Sequence, residues 1–311
     1  MPDLAVILVT WNTRDLIRGT LDTLYADLAG SGLSADVYVI DSASSDGTPE
    51  VVRQHYPQVR LTASPDNLGF GKSNNLGLRQ AGFFDPQRAD APAAAYLLNP
   101  DTLTQPNATR TLYDTLLSDP RNGLVGARLS YEDGSFQHGA FGFPGLRQLW
   151  AEFFWTPGRL LEGGFNGRYP RHLYEAGAPF LVDFPLGATM MLRREAVQQT
   201  GGFDERYFMY CEEVDWAWRI HRAGWQVLCA PAAHVVHLSG KSTSQAKPRS
   251  VVNLWTSRLM LYDSLHPRWK AALARRIIAV GMARKAQAET DPALRDAYRT
   301  VADLATRRNA P

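Results

Sequence analysis

Cysteine is nearly missing from this chain: Cys211 and Cys229 are its only thiols. A pair is too few for a disulfide framework or a cysteine-built metal site, so a reducing compartment is expected, with both side chains buried as small apolar groups. Long apolar runs are missing too. The N-terminal LAVILV is too short for a signal-peptide core or a membrane span, no basic leader precedes it, and no later run is longer. A cytoplasmic protein that meets membranes at most peripherally is the expectation. Excess charge of one sign is also lacking, since 33 Lys and Arg face 31 Asp and Glu for a net charge of +2. With no RNA- or DNA-reading motif either, nucleic acid is not an expected partner. Finally, no glycine fingerprint follows the first apolar run. Trp11-Asn12-Thr13-Arg14 stands there instead, which removes the dinucleotide-binding Rossmann alternative.

The chain does have apolar residues enough for a core, 45% of 311 residues, sufficient for one large α/β domain with an appendage or for two domains. Residues 4 to 10 form a continuous apolar run suited to a strand buried on both faces. A helix with Leu16, Ile17, Leu24, Tyr25 and Leu28 on one stripe follows, then the strand ADVYVID ending at Asp41. Thr48 and Pro49 supply an N-cap and a first helical position for the next helix. This alternation predicts a doubly wound sheet, whose ligands bind beyond the carboxyl ends of the strands, where Thr10, Asn12 and Asp41 lie. Further strands are expected near 59–61, 94–98 and 124–129, with a hairpin at Asp133-Gly134. Ser73 is expected to cap a helix, and 83–95 to form a surface loop.

The densest chemistry lies between Gly201 and Gly240. A two-glycine turn and the aromatic run RYFMY lead into a helix opening on Glu212, Glu213 and Asp215. Acidic residues favour a helix N-terminus on their own account. Here Tyr207, Phe208, Tyr210, Trp216 and Trp218 surround them, and a carboxylate desolvated among rings gains proton affinity suited to a general base. Two short strands broken at Pro231 are expected next. His234 and His237 are three residues apart, so on a strand they face opposite ways. The SGKS that follows His237 is small and polar enough to approach an anion.

VTWN at 9–12, VIDSASSDGT at 39–48, NLGFGKSNNLG at 67–77, LLNPD at 97–101, GATMMLRRE at 187–195, GGFDERYFMYCEEVD at 201–215 and HVVHLSGKS at 234–242 occur in one order. Together they make the chain resemble an inverting family 2 glycosyltransferase with the GT-A fold, of the rhamnosyltransferase-like and galactofuranosyltransferase-like branch. The resemblance implies a Rossmann-like doubly wound mixed sheet over 1–245, with 1–130 the nucleotide-sugar half and 131–245 the acceptor half. It implies that Asp41 accepts from the donor's base, with Thr10, Asn12, Asn67, Lys72, Asn99 and Asp101 on the nucleotide-sugar side. Glu213 aligns with the family's base, usually Asp, with Glu212 and Asp215 beside it. Asp101 and His237 align with the metal site. One carboxylate plus phosphates suits Mg²⁺ and an imidazole favours Mn²⁺. Asn99 stands where the family often has a second aspartate.

Gly187 and Ala188 are small enough to let an acceptor sugar approach the backbone, and Trp216 is placed on the same side. Residues 141–182 lose periodicity but are rich in aromatics, as a packed insertion or an acceptor-side lid. Beyond 246 the chain is expected to be a helical extension. In it, 268–285 carries only positive charge, so an anionic membrane surface, a helix packed on the catalytic domain and a dimer contact all fit. The implied activity is sugar transfer from a nucleoside diphosphate donor, dTDP-rhamnose-like or a UDP-sugar, to a hydroxyl of a glycan or lipid-linked acceptor. A catalytically silent nucleotide- or glycan-binding subunit is the alternative. A processive synthase is disfavoured by the absence of spanning helices and of a Gln-x-x-Arg-Trp signature after Trp218.

Overall fold

A computed structural model describes residues 2–88, 90–238 and 247–307. The N-terminal half alternates as its periodicity requires: β1 (Leu4–Thr10), α1 (Arg14–Ser31), β2 (Ala35–Ser42), α2 (Thr48–His55), β3 (Arg60–Ser64), α3 (Phe70–Gln80), β4 (Ala94–Leu98), β5 (Thr102–Thr104), α4 (Ala108–Leu117) and β6 (Asn122–Ser130). Short pieces follow: β7 (Phe136–Gln137), β8 (Ala140–Phe141), α5 (Leu146–Phe153), α6 (Gly158–Leu161), α7 (Arg171–Glu175), β9 (Phe180–Leu181) and β10 (Phe184–Pro185). The sheet resumes with β11 (Thr189–Arg193), α8 (Arg194–Thr200), α9 (Glu212–Arg222) and β12 (Gln226–His237). It is followed by α10 (Lys247–Leu265), α11 (Arg268–Ala288) and α12 (Pro292–Thr306).

The main sheet runs β3-β2-β1-β4-β11-β6-β12-β5. Its first four strands are parallel, β11 is antiparallel to both neighbours, β6 and β12 are parallel, and β5 closes the edge antiparallel to β12. This is the mixed, doubly wound sheet expected. Because strand side chains alternate, Leu4, Val6 and Leu8 of β1 enter one apolar core while Ala5 and Ile7 enter the core on the other face.

Several local expectations need correction. Gly47 in a left-handed conformation, rather than Thr48, precedes α2, and Asp46 Oδ1 accepts the Thr48 N–H at 3.0 Å. Ser73 does not cap α3: it is fully buried in the helix, and Gly69 occupies the cap. The 83–95 segment is not all surface, since Phe83 is buried in the core and 94–95 already belong to β4. Pro231 does not split the strand. β12 is continuous, and Pro231 to Ala233 are taken up as a register shift against β6 between Ala230 and His234. Residues 141–182 hold regular helices, and α5 belongs with the C-terminal helices: Leu149 is buried with Trp255, Leu259, Ile278 and Val301. The SGKS stretch from Ser239 lies outside the described residues.

Candidate active site

A cleft of about 730 Å³ opens beyond the carboxyl ends of the strands, and elements from both halves of the chain wall it. Asn99, Pro100 and Asp101 reach it because the LLNPD turn does not run into a helix. It enters β5, which pairs with the far end of β12 so that Thr102 faces His237. Leu238 N–H donates to the Asp101 carbonyl at 2.8 Å and fixes that register. The pairing sets His237 Nε2 3.5 Å from Asp101 Oδ1, both side chains being nearly buried at the cleft wall. The other ring nitrogen, Nδ1, lies 3.2 Å from Nε2 of Gln137, whose Oε1 has no partner among the described residues. Gln137 stands there because the Asp133-Gly134 turn folds β7 back on β6, opposing Gln137 to Leu129. As the strand period requires, His234 turns elsewhere and bonds Ser130 Oγ at 2.9 Å.

The opposite wall comes from the start of α9. Tyr210 and Cys211 are consecutive non-glycine residues with φ of 72° and 68°. Such left-handed backbone is strained by about 1–3 kcal/mol per residue and persists only where the surroundings impose it. The double turn directs Glu212 and Glu213 at the cleft. Glu213 is half-buried with its side chain against Gly187, where an added Cβ would lie 3.7 Å from it. Burial raises its proton affinity above that of an ordinary glutamic acid. Glu212 is fully buried. Desolvation, and then the charge of Glu213, hold its pKa well above the usual range, and its Oε2 has no partner among the described residues. Gly69 brings the two halves together: its φ is +78°, an added Cβ would lie 2.2 Å from the Phe208 carbonyl, and Phe70 N–H donates to that carbonyl at 3.2 Å.

The remaining expected residues divide. Asn67, Gly187 and Ala188 line the cleft with Asn99, whose side-chain oxygen is buried without a partner among the described residues. Thr10 and Asp41 sit one layer behind the wall. Thr10 Oγ1 donates to Asp41 Oδ1 at 2.8 Å, Ser44 Oγ donates to the same oxygen at 2.6 Å, and Ser44 N–H donates to Oδ2 at 3.0 Å. Asn12 accepts from Ser45 N–H at 2.9 Å and faces a separate depression with Ser45 and Asp46. Lys72 is exposed and outside the cleft lining, because it lies on the outer face of α3. Two residues expected near the chemistry belong to the scaffold instead. Trp216 is fully buried, packs edge-on to Phe203 at 4.6 Å and donates to Thr200 Oγ1 at 3.0 Å. Asp215 accepts from Arg219 at 2.8 Å, and that guanidinium also holds the carbonyls of Thr200 and Gly202, so Asp215 anchors the turn ahead of the aromatic run.

Sequence reasoning missed His138, Glu162, Arg168 and Arg171, which form one rim of the cleft. Arg171 lies 4.8 Å over the Phe136 ring, Arg168 pairs with Glu162, and His138 lies 3.6 Å from Glu162. Burial, then the Arg168 charge, lowers the His138 pKa. His138, Glu162 and Arg168 lie between short elements and Arg171 opens the five-residue α7, all in a stretch without clear sequence periodicity. The basic pair in GRYPR was the only signal.

The chain is similar to known proteins. The family model described as glycosyltransferase like family 2 matches residues 2–269. The N-acetylglucosaminyl-diphospho-decaprenol L-rhamnosyltransferase of Mycobacterium tuberculosis is 30% identical over 247 residues, covering 75% of this chain and 76% of the relative. Rhamnosyltransferase WbbL of Escherichia coli K12 is 25% identical over 234 residues, covering 75% and 82%. Among solved structures, a mannosyltransferase from Pyrobaculum calidifontis, in complex with GDP-Man and Mn²⁺, superposes with a TM-score of 0.57 at 19% identity, covering 98% of this chain and 84% of that one. That likeness supports the GT-A fold. The chain therefore belongs to glycosyltransferase family 2 and is a rhamnosyltransferase-like glycosyltransferase of GT-A fold.

Proposed function

We propose that the enzyme transfers a sugar, with inversion, from a nucleoside diphosphate donor to a hydroxyl of a glycan or lipid-linked acceptor at the inner face of the cell membrane. The relatives named as rhamnosyltransferases favour a dTDP-rhamnose-like donor, with a UDP-sugar as the alternative. One observation carries this reading: the Glu213 carboxyl, with its raised proton affinity, lines the same cleft as the Asp101–His237 pair. Glu213 takes the acceptor hydroxyl's proton as the oxygen attacks the anomeric carbon. The bond from that carbon to the diphosphate oxygen breaks on the opposite face, and its electron pair leaves with the nucleoside diphosphate. Gly187 and Ala188 leave room for the acceptor beside the base. Asn67 lines the nucleotide side, Thr10 and Asp41 shape it from one layer behind, and Asn12 holds the Ser45 turn beside it.

Asp101 and His237 fit a divalent cation: a carboxylate oxygen and an imidazole nitrogen face the same space at 3.5 Å. No group of three or more His, Cys, Asp or Glu side chains suited to a metal occurs among the described residues, so donor phosphates are assigned the rest of the shell. The bound ion would neutralise charge on the departing diphosphate, and the nitrogen ligand favours Mn²⁺ over Mg²⁺. Gln137 Nε2 faces His237 Nδ1; with the amide turned over, Oε1 would accept from Nδ1–H and leave the Nε2 lone pair free for the ion.

A thermal-shift and product-release panel of dTDP-, UDP- and GDP-sugars, with and without Mn²⁺, tests this. The expected result is metal-dependent stabilisation by one donor and transfer that Glu213→Gln slows by about 10²- to 10⁴-fold while donor binding persists. A fully active Glu213→Gln enzyme would remove Glu213 as the base.

A further inference from the structure

The largest exposed apolar side chains of the described residues are concentrated in two segments that lie side by side. On α11, Ala271, Ala274, Ile278 and Met282 face the helical core, while Trp269, Leu273, Arg276, Val280 and Arg284 follow one another at three- and four-residue steps and are all exposed. Trp269 is 67% exposed. Alongside runs α5 with the turn after it: Trp150 is 50% exposed and Trp155 85% exposed. Gly281 lets the two helices close, since an added Cβ there would lie 2.3 Å from the Phe153 ring. Arg284 joins the exposed surfaces, its guanidinium standing 5.4 Å over the Phe154 ring, which packs on Trp150 at 4.5 Å.

We propose that this joint face of α11 and the 150–160 segment is a docking surface for an anionic lipid bilayer, on which the enzyme lies without spanning it. Three observations favour that occupant. First, the composition is that of a membrane interface, exposed tryptophans beside aliphatic side chains and guanidinium groups. Second, α11 carries no carboxylate, and three near the face are paired, Glu152 with Arg258 at 2.8 Å, Asp263 with Arg275, and Glu162 with Arg168, while Glu289 after its last turn accepts from the Thr290 and Asp291 N–H groups. The net field of the face is positive and complements acidic headgroups. Third, a second copy of the chain meeting this face about a two-fold axis would oppose the same arginines to each other. No helix among the described residues is long and apolar enough to cross a membrane, so attachment from the side is what the face provides.

The surface also borders the active site. Leu160, itself exposed, lies two residues before the rim residue Glu162, which pairs with Arg168. Docked on its tryptophans, the enzyme presents the cleft rim at headgroup level, where a lipid-linked acceptor carries its sugar. That last step rests on the acceptor proposed above, whereas the lipid contact does not.

Co-sedimentation of the full chain with phosphatidylcholine vesicles, with and without phosphatidylglycerol, tests the contact. The wild type is expected to bind the anionic vesicles at least about tenfold more tightly than the neutral ones. Trp155→Ser combined with Trp269→Ser, and separately Arg276→Glu, should each weaken that binding about tenfold without shifting the thermal melt. Glu213→Gln should bind as the wild type does, so loss of transfer and loss of docking are read apart. The proposal is overturned if the wild type ignores anionic vesicles, if the tryptophan variant binds them undiminished, or if the same substitutions instead abolish a concentration-dependent self-association.

Discussion

At the residue scale, two adjacent glutamates with different surroundings make different predictions. Glu213 acts as a base only when ionised, and burial raises its pKa above the ordinary 4.5. Its activity is therefore lost as pH falls through that raised value, and the acid limb of a kcat/KM profile should lie above pH 4.5. Glu213→Gln should lower turnover by about 10²- to 10⁴-fold, measured as diphosphate release. Glu212 is buried at the cleft wall, with an oxygen that no described group satisfies. Its folded pKa is raised, so the unfolded chain gives up that proton first, and stability falls as pH rises from about 4.5 toward the folded value. Glu212→Gln should flatten that fall and raise the melting temperature at neutral pH, the direction expected when a buried charge is replaced by a neutral amide. A melt of the variant that tracks the wild type from acid to neutral pH would contradict this. Gln137→Leu should weaken Mn²⁺ binding by about 10- to 100-fold, because the outer partner of a ligating histidine sets its tautomer and orientation. Isothermal titration in the absence of donor checks it.

Elements, rather than single side chains, bring the two walls of the cleft together. The β5–β12 pairing joins Asp101 to His237, and the β6–β7 hairpin presents Gln137 behind it. The left-handed pair Tyr210-Cys211 swings the first turn of α9 round to face them. Gly69 is the contact through which α3 meets this turn. A valine there would be forced to positive φ with its Cβ against the Phe208 carbonyl. Gly69→Val should cost about 1–3 kcal/mol or more in chemical denaturation and impair donor binding at the same time. A variant with wild-type stability would show that the loop adapts freely.

Across the whole molecule, a sheet with two apolar faces carries the cleft at one end, and a third apolar core ties α10, α11 and α12 to α5. Half-buried Arg258 reinforces that junction by pairing with Glu152 at 2.8 Å and lying over the Trp255 ring. Ile278 is fully buried in this third core. Ile278→Ala should destabilise the protein by about 2–5 kcal/mol, read from denaturant midpoints. Because Ile278 is far in sequence and packing from the Asp101–His237 pair, Mn²⁺ affinity of the folded variant should be unchanged.

The sequence by itself determined the class of fold and most of the chemical inventory. Apolar runs such as LAVILV are legible as strands because a strand buried on both faces needs nothing but apolar side chains. The acidic turn at 212–215 was visible as carboxylates among rings, whereas the choice of Glu213 and the roles of Asp101 and His237 came from the family resemblance. What depended on contacts remote in sequence was not legible. Trp216 and Asp215 looked like site residues from their neighbours along the chain, yet the side chains turn to Phe203, Thr200 and Arg219, and only packing decides which face of α9 is buried. The Arg168–Glu162–His138 rim, and the α5 that pairs with α11, came from segments without a clear period. The meeting of 101, 137, 213 and 237 at one cleft was decided by strand register and by two residues of strained backbone, neither of which is written in local propensity.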